Sequence, residues 1–376
     1  MEKDSKKDSY IRPRQFSLIR DHRFGFGVLP SVLDICTEYK WRNPVIITGE
    51  KTYSVAGKQL EELLVDKNFE VQVVKAKVNG TVSLTYVDEV CSQNKNPACI
   101  IGVGGGSKLD LAKLVAEKYN CQMISVPTSV SHDGIASNIA SVIDENGERQ
   151  SKHTVMPIAL IVDTDIIQTA PSRLNIAGVG EAISNFVAVE DWRLASKKFG
   201  KDETNYSKHA YLIASGAVQF LVKKIDDMPD ASIKDIVDTI ILSHIGSGML
   251  MSVIGSSQPC SGAEHKFSHV LDRDYKTGAM HGEQVGVGSI VTAYLQASKL
   301  SLRQIKRSFM FSLSWEKIKR SLRKIGAPAS AGEIHLEPEQ VIEAFIEARK
   351  FRPERYTILD KVSDSSIKKA VNKTVA

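Results

Sequence analysis

Along its first half the chain alternates short apolar runs with longer amphipathic stretches. Pro44-Val-Ile-Ile-Thr48 is a compact apolar run closed by Gly49, and Ser54 to Lys67 sets Val55, Leu60, Leu63 and Leu64 at helical spacing. Phe69-Glu-Val-Gln-Val-Val74 alternates as a strand does, Val82 to Cys91 returns to helical spacing, and Ala98-Cys-Ile-Ile-Gly-Val103 is a further buried run. A helix over Lys108 to Tyr119 and a strand Gln122-Met-Ile-Ser-Val126 follow. Strands separated by helices of this length predict a parallel, doubly wound sheet. Two more strand-like runs, Ala136 to Ile143 and Met156 to Val162, flank Asp144-Glu-Asn-Gly147, which reads as a hairpin turn.

From Thr164 the pattern changes. Val179 to Lys198, Tyr206 to Lys224, Ile233 to Val253, Gln284 to Lys299 and Glu339 to Lys350 carry helical periodicity, and strand signals nearly vanish. The expected fold class is α/β: a Rossmann-like doubly wound domain over 25–165, after a tail and lead-in over 1–24, followed by an all-helical domain over 166–376. The cleft between the two is the natural active site.

A chain of 376 residues, 42% hydrophobic and 25% charged, has the composition of an ordinary globular protein. Its net charge of +5 is spread along the chain, and the basic N-terminus (Lys3, Lys6, Lys7, Arg12, Arg14) is interrupted by Asp4 and Asp8. No concentrated basic stripe suggests nucleic acid. The five cysteines form no Cys-x-x-Cys pair, which argues against a disulfide scaffold and against a thiolate metal site. No apolar run approaches the ~18 residues of a membrane span, and none resembles a signal peptide. A cytoplasmic location is expected.

Three segments carry candidate chemistry. Ile101-Gly-Val-Gly-Gly-Gly-Ser-Lys108 joins a buried strand to a helix, where glycines let backbone N–H groups approach a pyrophosphate at the helix N-terminus. It departs from the usual dinucleotide fingerprint, because Ser107 takes the sixth position and the loop follows the third strand. Pro127-Thr-Ser-Val-Ser-His-Asp-Gly134 follows the next strand; its hydroxyls suit phosphate or ribose and Asp133 suits substrate hydroxyls, although Ser131 and Asp133 also read as helix caps. The third segment is Ser261-Gly-Ala-Glu-His-Lys-Phe-Ser-His269. Ser261 and Glu264 have the spacing of a capping box, which would start a helix with His265 in its first turn and His269 on the same face. His281 follows the turn-like Lys276-Thr-Gly278 and precedes Gly282, at the mouth of a second helix. Two imidazoles and a carboxylate from elsewhere make a catalytic zinc or iron site; singly, each histidine reads equally as a surface or core residue.

Together these segments and Gly178-Val-Gly-Glu-Ala-Ile-Ser-Asn185 resemble the sn-glycerol-1-phosphate dehydrogenases, within the superfamily of iron-containing alcohol dehydrogenases, glycerol dehydrogenase and dehydroquinate synthase. The resemblance spans roughly 25–300. It implies a metal held by Glu181, His265 and His281, where Glu181 replaces the family's usual Asp. It implies NAD(P)H contacts from Gly104, Gly105, Gly106, Ser107, Lys108, Leu109 and Asp110, from Thr128, Ser129, Val130 and Ser131, and from Ser137. Asp133, Glu181 and His269 would meet the substrate, with Asp133 and His269 catalytic. The implied reaction is reduction of dihydroxyacetone phosphate to sn-glycerol 1-phosphate with one divalent metal, Zn²⁺ first and Ni²⁺ or Fe²⁺ next, for an archaeal type of phospholipid backbone. A small-molecule substrate and a homo-oligomer are the expected partners. The alternatives are a polyol dehydrogenase of the same fold, a dehydroquinate-synthase-like lyase, and a nucleotide-binding protein without catalysis. Lys152, Lys266 and Arg273 are candidates for the substrate phosphate.

Overall fold

A computed structural model describes residues 17–376 except 79, 94–95, 145–148, 202, 231 and 300–312. In chain order, β1 (Asp21–Gly25) leads through α1 (Ser31–Glu38) to β2 (Pro44–Thr48), and α2 (Glu50–Thr52) runs through a π turn into α3 (Lys58–Val65) and β3 (Gln72–Lys75). β4 (Val82–Ser83) and α4 (Leu84–Gln93) precede β5 (Cys99–Gly104), α5 (Gly106–Tyr119) and β6 (Gln122–Pro127). A 3-10 turn over Asp133–Ala136 leads to β7 (Ile139–Ile143), β8 (Arg149–His153) and β9 (Ala159–Asp163). Helices follow: α6 (Thr164–Thr169), α7 (Ser172–Phe199), α8 (Lys208–Asp227), α9 (Val237–Ile254), α10 (Ala263–Val270), α11 (His281–Ser298), α12 (Trp315–Lys324), α13 (Pro338–Glu347) and α14 (Asp364–Thr374).

The main sheet is wholly parallel, in the order β1-β9-β6-β5-β2-β3. Both its faces are covered, which is why its central strands are continuously apolar. Along β2, Val45 and Ile47 enter one core and Ile46 the other, as the period of two requires. The first of these cores continues without a break into α7 (Val179, Ile183, Val187) and α10 (Phe267). Chain order reverses between β2 and β5, since the chain leaves β2 toward β3 but leaves β5 toward β6. Ligands of open α/β sheets bind at the C-terminal ends of strands at such a switch point.

Three expectations are corrected. The stretch read as lead-in contains β1, which pairs with β9 from Asp21↔Ala159 to Gly25↔Asp163. The hairpin does not join the runs 136–143 and 156–162. It pairs β7 with β8, while β9 joins the main sheet. Neither β1 (Asp-His-Arg-Phe-Gly) nor β8 (Arg-Gln-Ser-Lys-His) carries an apolar run, so periodicity could not find them. The turn at 145–147 and the basic residues of the N-terminal tail lie outside the described residues. The third correction is the capping box: α10 starts after Gly262, and the Ser261 hydroxyl does not cap it. By length and mean hydropathy of 1.5, α9 is one helix able to cross a membrane, but 67% of it is buried within the fold.

Candidate active site

At the switch point the glycine loop joins β5 to α5. Gly105 is the N-cap of α5 in extended conformation, and no side chain caps the first turn. The N–H groups there face the end of the sheet, where a pyrophosphate would complement them and the helix dipole. Gly102 serves packing: a Cβ on it would stand 2.7 Å from Ala112 Cβ and 2.8 Å from Met123 Cε. Lys108 lies across Gly49, with its Nζ donating to the Val78 carbonyl, so its stem fills the space beside that glycine. Of the other expected cofactor residues, Leu109 is fully buried, and Asp110 is held by Lys113 (3.2 Å) and by the N–H of Ser141 (3.1 Å). These two hold the loop. Gly105, Gly106 and Ser107 are half-buried at the start of α5.

The second loop is tied to the first by the Thr128 N–H, which donates to the Gly104 carbonyl at 3.1 Å. Asn175 of α7 accepts from the Val130 N–H at 3.1 Å, so the loop is also anchored to the helical half. Ser129 and Ser131 place their hydroxyls 3.5 Å apart. Ser137 is buried and turned onto its own strand, within 3.3 Å of the Ile139 N–H. His132 accepts from the Gly134 N–H through Nδ1 at 2.9 Å, which leaves its Nε2 as the protonated nitrogen, buried and unpartnered. That ring fills the space over both Gly106 and Gly134, where a Cβ would come within 2.3 and 2.4 Å of it.

Glu181, His265 and His281 converge from α7, α10 and the first residue of α11, with one donor atom from each within 4.8 Å of the others. Glu181 Oε2 lies 3.9 Å from His265 Nε2 and 3.6 Å from His281 Nε2, and it has no hydrogen-bond partner. The imidazoles are oriented from behind. The Gln284 amide donates to Asp272 and to the Ala279 carbonyl, so its Oε1 accepts the Ser268 hydroxyl, whose oxygen is then left to accept His281 Nδ1–H at 2.8 Å. Glu264 accepts His265 Nδ1–H at 2.8 Å and the Gly262 N–H at 2.7 Å. Both Nε2 atoms are thereby unprotonated and aimed at the carboxylate, as metal-ligating histidines are.

Burial dominates the electrostatics. It pushes His265 down to about 3 and His281 well below the ordinary imidazole range, so both imidazoles are neutral. It raises Glu181 well above the ordinary carboxyl range, with Asp133 and Glu264 adding to the effect. A buried carboxyl oxygen without a hydrogen-bond partner, facing two unprotonated nitrogens, fits a divalent cation. A tetrahedral site with ~2.1 Å bonds has edges of about 3.4 Å, so the three donors are already close to ligating separation.

Asp133 is buried beside the cluster, and burial raises it to about 6. His269 stacks on His281 with centroids 6.2 Å apart, and its Nδ1 has no partner. Burial first, then Arg149 and Arg352, push it well below the ordinary imidazole value of 6.5. The expected phosphate candidates are engaged elsewhere, Lys152 with Glu117 (2.7 Å), Lys266 with the Arg355 carbonyl (3.2 Å) and Arg273 with Asp274 (2.7 Å). Sequence reasoning missed Arg149, Arg352 and Arg355, which stand near the histidines through tertiary packing alone.

The iron-containing alcohol dehydrogenase family model matches residues 23–171. A glycerol-1-phosphate dehydrogenase [NAD(P)+] of Methanosarcina mazei is 39% identical, over 91% of this chain and 90% of that protein. That of Thermococcus sibiricus is 40% identical over 88% of each chain. The chain belongs to the glycerol-1-phosphate dehydrogenase family. Among solved structures, sulfoacetaldehyde reductase of Bifidobacterium kashiwanohense in complex with NAD⁺ shares the fold, with a TM-score of 0.73 and 14% identity over 96% of this chain and 98% of that one. Where the sequence resemblance implies an Asp, this chain carries Glu181, whose extra methylene lengthens the reach from α7 by ~1.5 Å. Its Oε2 nevertheless meets both imidazoles at comparable distances, 3.6 and 3.9 Å, so the helix position accommodates the longer side chain.

Proposed function

We propose that the chain catalyses the NAD(P)H- and metal-dependent reduction of dihydroxyacetone phosphate to sn-glycerol 1-phosphate, and the reverse, as a source of phospholipid backbone. The observation that carries this reading is the convergence of two histidines and one carboxylate, Glu181, His265 and His281, in a member of this family. When bound, a divalent cation supplies Lewis acidity to the carbonyl oxygen and the nicotinamide supplies the hydride.

The chain's own residues do the rest. Glu181, His265 and His281 hold the cation, oriented by Glu264 and Ser268. The first-turn amides of α5 with Thr128, Ser129 and Ser131 hold the cofactor's phosphates and ribose. Asp133, raised to about 6, can exist in either protonation state near neutrality and holds the substrate hydroxyl end. His269, kept neutral by burial, donates or accepts a hydrogen bond at the reacting oxygen. Location in the cytoplasm and a homo-oligomeric state belong to the same proposal; the exposed apolar side chains Ile213 and Phe220 of α8 and Leu242 of α9 support the latter.

The purified, metal-loaded protein is to be given dihydroxyacetone phosphate and NADPH, and the product read with an enantiomer-specific coupled assay. The expected product is sn-glycerol 1-phosphate. Formation of the 3-phosphate, or activity on unphosphorylated polyols alone, would overturn the proposal.

A further inference from the structure

Beside the histidine cluster stand Arg149, Arg352 and Arg355, with Asp272 paired to Arg149 and Glu354 near the other two. Arg149 opens β8; its Nε donates to Ser141 Oγ at 2.8 Å and its Nη1 pairs with Asp272. Two residues along the strand, Ser151 Oγ accepts from Arg352 Nη2 at 3.1 Å. Strand alternation puts Arg149 and Ser151 on one face of β8, about 6.6 Å apart along the strand, so the two guanidiniums converge there. Arg352 follows Phe351, whose ring lies 4.8 Å from His269, and its own Cζ stands 5.5 Å from that ring. The path from the metal cluster to Arg352 therefore runs His281, His269, Phe351, Arg352.

Among the described residues no carboxylate lies within ion-pair distance of Arg352. Its backbone is held at φ +47°, a left-handed conformation that side-chain-bearing residues rarely adopt and that persists where the surroundings dictate it. Burial acts against its charge, the Glu354 carboxylate supports it without forming an ion pair, and the nearby Arg149 opposes it. A partly buried guanidinium without a counter-ion, next to a second one, is unfavourable unless an anion joins them. The planar fork of arginine matches the oxygens of a phosphate.

We propose that Arg352, with Arg149 beside it, binds the phosphate of the substrate whose reacting end lies at Glu181, His265 and His281. This deepens the function proposed above and rests on it for the identity of the phosphate ester. The clamp joins the β7–β8 hairpin to the segment after α13, so it exists only when the sheet half and the helical half are packed together. Arg149 is partly neutralised by Asp272, which makes Arg352 the stronger partner.

The test uses full-length, metal-loaded protein carrying Arg352→Gln or Arg352→Lys. In Arg352→Gln the ratio of kcat/KM for dihydroxyacetone phosphate over dihydroxyacetone is expected to fall about 10²-fold, the scale of a lost charge-assisted contact. Inhibition by inorganic phosphate should weaken in step, while KM for NADPH holds. Arg352→Lys, which keeps the charge and loses the fork, should fall between. A ratio and a phosphate inhibition within threefold of wild type would overturn the clamp, as would a rise confined to KM for NADPH. If wild-type protein does not turn over dihydroxyacetone phosphate, the proposed function fails. Calorimetric binding of inorganic phosphate to wild type and to both variants then decides the clamp by itself. Should Arg352→Gln unfold, Arg352→Lys carries the same readouts.

Discussion

Gly180 of α7 and Gly282 of α11 meet backbone to backbone: a Cβ on Gly180 would stand 2.1 Å from the Gly282 carbonyl oxygen, and one on Gly282 would stand 2.0 Å from the Ala177 carbonyl. The residues next to them in sequence are Glu181 and His281. The closeness of the two helices is thus what brings carboxylate and imidazole to 3.6 Å. Arg173 reinforces it by reaching from the first turn of α7 to Glu283 at 2.6 Å, which in turn accepts the Met280 N–H at the start of α11.

Gly180→Ala is therefore expected to push α7 and α11 apart. Overpacking of this kind costs about 1–3 kcal/mol. A loss of metal affinity should accompany the loss of stability, because the clash lies one residue from a ligand. Thermal melting with and without added metal measures both. A variant that melts lower yet binds metal as wild type does would separate helix packing from ligand placement and refute the link.

Stripping the metal with a chelator should abolish activity, with Zn²⁺ restoring it and Ni²⁺ or Fe²⁺ as alternatives. Glu181→Ala should nearly abolish activity. Glu181→Asp should also lower it, by around 10²-fold, because a ~1 Å misplacement at a reacting centre has that effect and this backbone is set for the longer side chain. Glu264→Gln, which remains able to accept from His265, should weaken metal binding by about 10-fold, and Ser268→Ala by ~10–100-fold, as losses behind a metal ligand do. Metal content by atomic spectroscopy after dialysis is the check. Full activity in metal-free protein would remove the mechanism.

Asp191 sets a dependence on pH. It is 2% exposed, and burial, then Glu264, raise it to about 7 against the pull of Gln296 and the N–H groups of Ala263 and Ile358. The folded state therefore keeps a proton that the unfolded state releases near pH 4, and stability falls as pH rises from about 4 through 7. His244, lowered by burial to about 3, acts in the opposite sense, and stability is lost as pH drops from 6.5 toward 3. Melting temperature should peak at mildly acidic pH, and Asp191→Asn should flatten the decline on the alkaline side. An unchanged slope in that variant would rule Asp191 out as its source.

Cofactor choice turns on Glu50, at the start of α2 beyond β2. Lys75 Nζ approaches it at 3.2 Å while also lying 3.9 Å over the Tyr53 ring. The Lys108 stem packs against Gly49. With Glu50 offset by Lys75 and Lys51 exposed beside it, both cofactors should serve, with a modest preference for NADPH. Glu50→Gln should increase that preference. A wild-type preference for NADH above about a hundredfold, ~2.7 kcal/mol, would mean that Glu50 governs the ribose pocket.

Local patterning was enough to read the strands β2, β5 and β6, the helices α5, α7, α8, α9 and α11, and the change of texture after Asp163, because each buries a face whose period is written in neighbouring residues. The glycine loop and the pair His265 and His281 stand out in short segments, whereas Glu181 was reached only through the family resemblance; the fold brings all three donors within 4.8 Å of one another. Strands β1 and β8 were not readable, because their polar residues pair only through partners distant in sequence, Ala159–Asp163 for one and Ile139–Ile143 for the other. Nor were the tautomers of His265 and His281, which depend on Glu264, Ser268 and Gln284 acting across two helices, or the neutrality of His269, which follows from burial. The phosphate candidates show the limit most clearly. Lysines and arginines look alike in a sequence, and which one lacks a counter-ion is settled by long-range packing. Lys152 meets Glu117, thirty-five residues away, and Arg352 meets Ser151, 201 residues away.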